Sequence, residues 1–318
     1  MERYKVIITP RSFTGAGQGA VELLESNNCD VVRIAVNEEG GWQRLCEEIK
    51  DADAVIAGLE LYDEELILRG SKLKVISRYG VGYDQVDVKA AAAANIAVTI
   101  TPGANGDSVA DFAVALMLDA ARNVTIMDTA MKKRCMARPQ GAEMWNKTVG
   151  IIGTGRIGRG VARRCLGFQM RILGYDLFEN DDFKMECGGT YVSFTELLRE
   201  SDFITIHLPL TRKTERLIGM KELEMMKRTA ILVNTARGGI IDEQALYQAL
   251  DGGMIRAAAL DATENEPAYY SPLINLSNCI LTPHAGAATD EAGVRMSIMA
   301  AQNVVDVLRF GSCEYTVQ

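Results

Sequence analysis

The chain has 318 residues, of which 48% are hydrophobic and 24% are charged. These proportions are close to the average for globular proteins and exclude collagen-like, disordered and disulfide-framework proteins, while the length predicts two domains. Lys and Arg total 34 against 42 Asp and Glu, and the resulting formal charge of −8 argues against nucleic acid as a partner.

Two series of strand-like segments alternate with helical patterns along the chain. The first series comprises 4–9, 30–36, 54–57, 73–77 and 96–100, and the second comprises 148–153, 170–176, 203–208, 230–235, 257–261 and 279–282. Strands that alternate with helices predict parallel sheets with helices on both faces. A helical segment at 108–122 joins the two series, and a last helix at 289–309 could return to the first unit. We therefore predict an α/β protein with two doubly wound units.

A glycine-rich turn follows the strand-like segment at 148–152. Gly153, Gly155 and Gly158 form the pattern G-x-G-x-x-G between this strand and a helical pattern. The pattern requires a tight turn at Gly153, close approach of the backbone to a pyrophosphate at Gly155 and close packing of helix on strand at Gly158. The next strand ends in Asp176, where a carboxylate can accept hydrogen bonds from ribose hydroxyls. No Arg follows Asp176 to hold a 2′-phosphate, so we predict NAD rather than NADP.

Hydride transfer from a carbinol needs an acid–base group that works near pH 7, and histidine is the usual candidate. The chain has two, His207 and His284, and both follow predicted strands at the edge where ligands bind in an open α/β sheet. Small residues at 285–288 leave space around His284, whereas bulky apolar residues flank His207. We therefore interpret His207 as a packed residue near the cofactor.

A catalytic imidazole is oriented by a carboxylate, and an anionic substrate is bound by a cation. The segment 263–267 follows another predicted strand and offers two carboxylates, Glu264 and Glu266. Arg237 follows a further strand and precedes two glycines, which makes it a candidate for the cation. The residue types alone do not choose between the two glutamates.

Six motifs occur in a fixed order, at 74–84, 153–158, 207–211, 234–242, 260–267 and 282–286. In this order they resemble the D-isomer-specific 2-hydroxyacid dehydrogenases, a family that includes phosphoglycerate dehydrogenase, hydroxypyruvate and glyoxylate reductases and D-lactate dehydrogenase. The resemblance implies that Arg237, Glu266 and His284 are the catalytic residues. It also implies a Rossmann NAD-binding domain, 102–285, inserted in a flavodoxin-like substrate domain made of 1–101 and 286–318.

The resemblance implies binding residues as well. Those expected at the cofactor are Gly153, Thr154, Gly155, Arg156, Ile157, Gly158, Asp176, His207, Pro209, Thr235, Ala236 and Asp261. Those expected at the substrate are Arg78, Tyr79, Gly80, Val81 and Gly82, a loop whose backbone N–H groups would bind the substrate carboxylate.

The activity that the resemblance implies is hydride transfer between NAD(H) and a small 2-hydroxy or 2-oxo acid, as in glyoxylate and hydroxypyruvate reductases. The alternative is D-3-phosphoglycerate dehydrogenase, but the segment 58–65 holds four carboxylates and no cation, which weighs against a phosphorylated substrate. A remote alternative is an NAD-sensing, corepressor-like binding protein, which the lack of basic or disordered tails disfavours.

Location and assembly are predicted from the remaining features. No apolar run reaches the roughly 18 to 20 residues of a membrane span, and the first residues lead directly into a strand, so we expect neither a membrane segment nor a signal peptide. The seven cysteines are scattered and suggest no thiolate metal site, and we predict a cytoplasmic protein without a metal. The segment 122–145 carries Met127, Met131, Met136, Met144 and Trp145, which predicts a homodimer interface that the resemblance also implies.

Overall fold

The structure, a computed structural model, describes residues 3–13 and 17–317. The chain divides into two compact units, the first formed by residues up to Asn105 and from Ala287 onward, and the second by Gly106–Gly286. The helix predicted to join the two series therefore lies wholly in the second unit, and the last helix lies in the first.

The first unit contains a six-stranded sheet. Its strands are β1 (Tyr4–Ile8), β2 (Cys29–Arg33), β3 (Ala54–Ala57), β4 (Val75–Arg78), β5 (Ala97–Thr99) and β13 (Thr316–Val317). They lie in the order β13-β5-β4-β3-β1-β2, and all neighbours are parallel except β13, which pairs antiparallel with β5. The five parallel strands thus have the flavodoxin-like order 2-1-3-4-5.

Helices cover both faces of this sheet. They are α1 (Gln18–Ser26), α2 (Gly41–Glu48), α3 (Glu64–Arg69), α4 (Val88–Ala93) and α12 (Asp290–Phe310). The long helix α12 packs on α1 and on the central strands. Thr289 caps its start by accepting a hydrogen bond from the N–H of Ala292, and Gly311 ends it with a φ of 75°.

The second unit contains a seven-stranded sheet in which all pairs are parallel. Its strands are β6 (Thr148–Ile152), β7 (Arg171–Tyr175), β8 (Thr190–Tyr191), β9 (Phe203–Ile206), β10 (Ile231–Asn234), β11 (Ala257–Leu260) and β12 (Cys279–Leu281). The order β12-β11-β10-β9-β6-β7-β8 is that of a Rossmann sheet extended by one strand. Because both faces are covered, β9, β10 and β11 are buried along their whole length.

Seven helices belong to the described part of the second unit. They are α5 (Gly106–Arg122), α6 (Val124–Lys132), α7 (Arg156–Leu166), α8 (Asp181–Met185), α9 (Phe194–Glu200), α10 (Met220–Met225) and α11 (Glu243–Asp251). Helix α5 packs closely on α7, and Gly160 of α7 leaves room for this contact, because a Cβ there would lie 2.9 Å from the Cβ of Ala110. None of the described helices is long and apolar enough to cross a membrane.

The predicted fold class is confirmed: two doubly wound units are present, and the Rossmann unit is inserted in the sequence of the flavodoxin-like unit. All eleven predicted strands occur, most of them one or two residues shorter than predicted. The strands β8 and β13 were not predicted, and β13 adds an antiparallel edge to a sheet that we expected to be parallel throughout.

Candidate active site

The strand order of the second unit brings the predicted site residues to one edge of the sheet. Gly153 follows β6, His207 and Pro209 follow β9, Thr235 and Ala236 follow β10, Asp261 follows β11, and His284 follows β12. These five strands are consecutive neighbours and parallel, so their carboxyl ends lie side by side. This is the edge at which open α/β sheets bind ligands.

The glycine-rich turn has a different requirement at each of its three glycines. Gly153 has a φ of 96°, and a Cβ there would lie 2.7 Å from the backbone of His207. A Cβ on Gly158 would lie 2.1 Å from the carbonyl oxygen of Gly153, so strand and helix could not pack as they do. Gly155 faces open space, with no atom within 4 Å of the position that its Cβ would take.

This turn fits the pyrophosphate of a dinucleotide. Gly155 precedes the first turn of α7, and no hydrogen bond among the described residues uses the backbone N–H of Gly155, Arg156 or Ile157. Unused N–H donors at the positive end of a helix, beside the open space at Gly155, are the arrangement that binds phosphate groups.

Asp176 lies beside the turn and retains hydrogen-bonding capacity. Its Oδ2 accepts hydrogen bonds from the backbone N–H of Thr154 at 2.7 Å and from the Thr154 hydroxyl at 3.2 Å. Its Oδ1 accepts only a long contact of 3.4 Å from the N–H of Phe178 among the described residues. The carboxylate is thus held against the turn with one oxygen left for ribose hydroxyls.

Two buried polar atoms at the same edge have no hydrogen-bond partner among the described residues. They are Oγ1 of Thr235 and Nδ1 of His207, at the ends of the neighbouring strands β10 and β9. Buried polar groups normally have partners, so these two atoms indicate a place where a bound group completes the site. Together with the turn and Asp176, they show that the residues present fit NAD.

His207 cannot donate a proton near neutral pH. Although the residue as a whole is only half-buried, its ring is enclosed, and the Nε2 atom lies 2.9 Å from the hydroxyl of Thr205. Burial lowers the pKa of His207 to about 3, so the imidazole is neutral at pH 7. This favours the interpretation of His207 as a packed residue near the cofactor.

His284 lies in direct contact with Glu266. Its Nδ1 is 2.9 Å and 3.0 Å from the two carboxylate oxygens, and both side chains remain partly exposed, at 28% and 37%. With Nδ1 assigned as the donor to the carboxylate, Nε2 is the nitrogen left to exchange a proton. The structure thereby separates the two candidate glutamates, because Glu264 instead accepts a hydrogen bond from the backbone N–H of Glu243.

Asp261, which we expected at the cofactor, has a structural role that we did not predict. This buried carboxylate accepts hydrogen bonds from the Thr282 hydroxyl at 2.7 Å and from the N–H groups of Ala285 and Gly286, both at 2.8 Å. It therefore holds the segment on either side of His284, whose own φ of 53° lies in the left-handed region. An aspartate at the end of an apolar strand was the only sequence signal of this role.

Arg237 lies on a turn that packs against the segment leading to Glu266. The buried Asn234 shapes this turn, since its amide donates to the carbonyl of Arg237 at 2.8 Å and its Oδ1 accepts from the N–H of Ala236 at 3.0 Å. A Cβ on Gly238 would lie 1.9 Å from the carbonyl oxygen of Thr263. Glycine is therefore required there, which accounts for one of the two glycines after Arg237.

Glu243 supports the site and was not predicted from the sequence. Its buried carboxylate accepts hydrogen bonds from the N–H of Glu264 at 2.6 Å and from the Ser271 hydroxyl at 3.0 Å, so it anchors the loop that carries Glu266. Burial raises the pKa of Glu243. Nothing in the sequence distinguishes it from an ordinary exposed acid in the first turn of a helix.

The predicted substrate loop belongs to the first unit. The guanidinium of Arg78 is buried and donates to the carbonyls of Ala57, Gly58 and Gly82, so at least two of its nitrogens bind backbone rather than an anion. The side chain of Tyr79 donates to the carbonyl of Gly293 at 3.2 Å. Among the described residues, the N–H groups of the next three residues, 80–82, donate no hydrogen bond and remain available to a carboxylate.

Comparisons with known proteins identify the family of this chain. The model of the D-isomer specific 2-hydroxyacid dehydrogenase NAD-binding domain matches residues 114–286. A glyoxylate reductase of Korarchaeum cryptofilum is 44% identical over 269 residues, which cover 82% of this chain and 81% of that protein. A D-3-phosphoglycerate dehydrogenase of Methanocaldococcus jannaschii is 42% identical over 92% of this chain, but the match spans only 56% of that protein.

Solved structures show the same similarity. A glyoxylate reductase of Paecilomyes thermophila, 32% identical, matches with a TM-score of 0.87 over 100% of this chain and 99% of its own. The NAD⁺-bound 3-phosphoglycerate dehydrogenase of Entamoeba histolytica, 28% identical, matches with a TM-score of 0.85 over 99% of both chains. The chain therefore belongs to the D-isomer-specific 2-hydroxyacid dehydrogenase family and is an NAD-dependent oxidoreductase of 2-hydroxy acids.

Proposed function

We propose that this enzyme reduces a small monoanionic 2-oxo acid, glyoxylate or hydroxypyruvate, with NADH. The observation that carries the proposal is the contact of His284 Nδ1 with Glu266, because it provides a proton donor and acceptor at the carboxyl edge of the cofactor-binding sheet. The choice of substrate is supported by the segment 58–65, which holds no cation, and by the glyoxylate reductases among the similar proteins.

In this proposal each side chain has a defined task. His284 holds a proton at Nε2 and transfers it to the carbonyl oxygen of the substrate, while Glu266 orients the ring and stabilises its charged form. Arg237 binds the substrate carboxylate through its fixed charge. NADH, when bound, supplies the hydride that reduces C2 of the substrate.

Other residues bind and position. The N–H groups of the turn at 153–158 hold the pyrophosphate, and Asp176 binds the adenosine ribose. Residues 207, 235, 236 and 261 line the nicotinamide side, and Pro209 is a further cofactor-binding residue. In the first unit, the N–H groups of residues 80–82 orient the substrate carboxylate, whereas the N–H of Tyr79 donates to the carbonyl of Ala57. Arg78 holds this loop through its hydrogen bonds to the carbonyls of Ala57 and Gly82.

Purified protein should oxidise NADH when mixed with glyoxylate, hydroxypyruvate, pyruvate, a branched 2-oxo acid or 3-phosphohydroxypyruvate under identical conditions. We expect turnover with the first two substrates. An absence of turnover with every 2-oxo acid, despite NADH binding, would contradict the proposal and favour an NAD-sensing binding protein.

D-3-phosphoglycerate dehydrogenase activity is the second candidate. It is supported by the relative in Methanocaldococcus jannaschii, although this chain spans only about half of that enzyme. The same substrate series separates the two candidates, because this alternative requires preference for 3-phosphohydroxypyruvate.

A homodimer formed through 122–145 and a cytoplasmic location remain predictions. Helix α6 supports the dimer, because it has no buried residue and leaves Val124 and Met131 54% and 62% exposed. Met144 does not contribute to this surface as we expected, since it is buried in the core of its own unit.

A further inference from the structure

A tyrosine on the short strand β8 lies beside the glycine-rich turn. In the register of β7 and β8, Tyr191 pairs with Gly174, two residues before Asp176. Gly174 leaves the space that this arrangement needs, because a Cβ there would lie 2.4 Å from the ring of Phe183 and 3.0 Å from Cγ2 of Thr154. The ring of Phe183 is fully buried and packs on that of Tyr191, with 5.1 Å between the ring centroids. Packing therefore fixes the tyrosine ring close to the turn.

The hydroxyl of Tyr191 belongs to a chain of hydrogen bonds that ends at Asp176. It lies 2.6 Å from Oγ1 of Thr154, and the Thr154 hydroxyl donates to Oδ2 of Asp176 at 3.2 Å. At the other end of the chain, the backbone N–H of Asn180 donates to the Tyr191 oxygen at 2.8 Å. Thr154 is only 1% exposed, so bulk water does not compete for its hydroxyl.

These three hydrogen bonds have a single possible direction. A carboxylate has no proton to donate and a backbone N–H accepts nothing, so both ends of the chain are fixed. The Thr154 hydroxyl gives its proton to Asp176 and therefore accepts the proton of Tyr191. The Tyr191 oxygen in turn accepts from Asn180. Hydrogen bonds aligned in this way strengthen one another, so loss of the phenol hydroxyl weakens the hold of Thr154 on Asp176.

The same phenol anchors the chain that follows Asp176. The segment 177–180 leads from this carboxylate to Asn180, whose N–H is held by Tyr191. The segment contains no Lys or Arg, and Glu179 adds a second negative charge. Tyr191 thus contacts both sides of the position where the sequence favours NAD over NADP.

We propose that Tyr191 is a positioning residue for the cofactor, which acts through Thr154 to hold the carboxylate of Asp176. The inference rests on the proposed role of Asp176 at the adenosine ribose and deepens it. Because two donors of Thr154 hold Oδ2, Oδ1 is kept for the ribose hydroxyls of NAD, and the fixed charge repels the 2′-phosphate of NADP. A carboxylate that is free to rotate does both less well.

Tyr191→Phe tests this role, because it removes the hydroxyl and keeps the ring that packs on Phe183. The dissociation constants (Kd) of NADH and NADPH are measured by fluorescence titration, which needs no substrate. We expect the Kd of NADH to rise about three- to tenfold, the effect of losing a hydrogen bond. The ratio of the Kd of NADPH to that of NADH should fall at least about threefold. A merely structural role would raise both constants in parallel and leave this ratio unchanged.

Tyr247→Phe is the matched control, because it removes the hydroxyl of another half-buried tyrosine in the same unit, on α11. It should leave both dissociation constants within about twofold of the wild type. If Tyr191→Phe leaves the Kd ratio as Tyr247→Phe does, the positioning role of Tyr191 is wrong.

Thr154→Val shows whether Tyr191 acts through Thr154. This variant removes the hydroxyl between Tyr191 and Asp176 and retains the backbone N–H that donates to Asp176. In the Thr154→Val background, Tyr191→Phe should change the Kd ratio by less than about twofold, because the two substitutions interrupt the same chain of hydrogen bonds. A larger change would mean that Tyr191 acts by another route and would overturn the proposal.

Asp176→Ala separates a failure of this inference from a failure of the role proposed for Asp176. It should lower the Kd ratio at least about tenfold, because it removes the charge that repels the 2′-phosphate. If Asp176→Ala lowers the ratio and Tyr191→Phe does not, only the inference on Tyr191 fails. If Asp176→Ala leaves the ratio unchanged, the role of Asp176 itself is wrong and the inference fails with it.

Discussion

The contact of His284 with Glu266 leads to a direct prediction at the residue scale. We expect His284→Ala to lower kcat by a factor of about 10² to 10⁴, because it removes acid–base chemistry. NADH binding, measured by fluorescence titration, should change little, since the glycine-rich turn lies at another strand end. His207→Ala is the comparison, and a greater loss of kcat in that variant would reverse the assignment of the two histidines.

The buried ring of His207 predicts how stability depends on pH. The pKa of His207 is about 3 in the folded protein and near 6.5 in an unfolded chain, so the unfolded state binds more protons between these values. The folded state therefore loses stability as the pH falls from 6.5 towards 3. In thermal unfolding at pH 6.5 and 4.5, we expect Tm to fall by several degrees more in the wild type than in His207→Asn, which has no group to titrate there. Equal losses in the two proteins would show that His207 is not the buried neutral group described here.

Side chains differ in how far the sequence could predict their roles. The positions of His284 and Arg237 could be predicted from the strands they follow, because the residues after parallel strands lie at one edge of the sheet. The choice of Glu266 over Glu264 came from family resemblance, and the contact with His284 agrees with it. The anchoring role of Glu243 could not be predicted, because it depends on a loop 21 residues further along the chain.

At the scale of single elements, we predict opposite effects for alanine substitutions at two glycines of the turn between β6 and α7. Gly155→Ala adds a Cβ in open space, so Tm should stay within about 1 °C while the KM for NADH rises at least about tenfold. Gly158→Ala adds a Cβ 2.1 Å from the carbonyl oxygen of Gly153 and should destabilise the fold by about 1 to 3 kcal/mol. Calorimetry and NADH kinetics measure both effects. Loss of stability in Gly155→Ala with unchanged NADH affinity would mean that the turn does not face the cofactor.

Helix α6 predicts the site of subunit association. Light scattering of the wild type at micromolar concentration should give twice the 34.7 kDa of one chain. Met131→Lys should raise the dissociation constant of the dimer at least about tenfold, because it places a charge in an apolar contact. Leu68→Lys is the control, since Leu68 is exposed to the same degree but lies on α3 of the other unit. A wild-type mass of one chain would refute the dimer.

Some strands could be predicted from the sequence and others could not. Largely apolar runs such as 203–206 and 231–234 predicted buried central strands. Thr190–Tyr191 and Thr316–Val317 were missed, because two residues are too few to show an alternating pattern. Both pair at or near sheet edges, where partners distant in sequence decide whether a strand forms.

At the scale of the whole molecule, the order of the strands brings motifs that are distant in sequence to one edge of each sheet. The Rossmann order places the turn after β6 beside β9, and the strands carrying Arg237, Glu266 and His284 follow on the same side. The flavodoxin-like order of the first unit likewise joins Thr9, Gly58 and Arg78 at one edge. Alternation of strands and helices predicted both sheets, but the hydrogen bonds of Gly58 with Thr9 and Arg78 became visible only in three dimensions.

A comparison of two substrates decides whether this dehydrogenase acts on a small monoanionic 2-oxo acid or on a phosphorylated one. The value of kcat/KM with NADH is measured for hydroxypyruvate and for 3-phosphohydroxypyruvate under identical conditions. We expect hydroxypyruvate to be preferred, because the segment 58–65 holds four carboxylates and no cation and would repel a phosphate. A preference of more than about tenfold for the phosphorylated acid, equivalent to about 1.4 kcal/mol of transition-state binding, would contradict the claim.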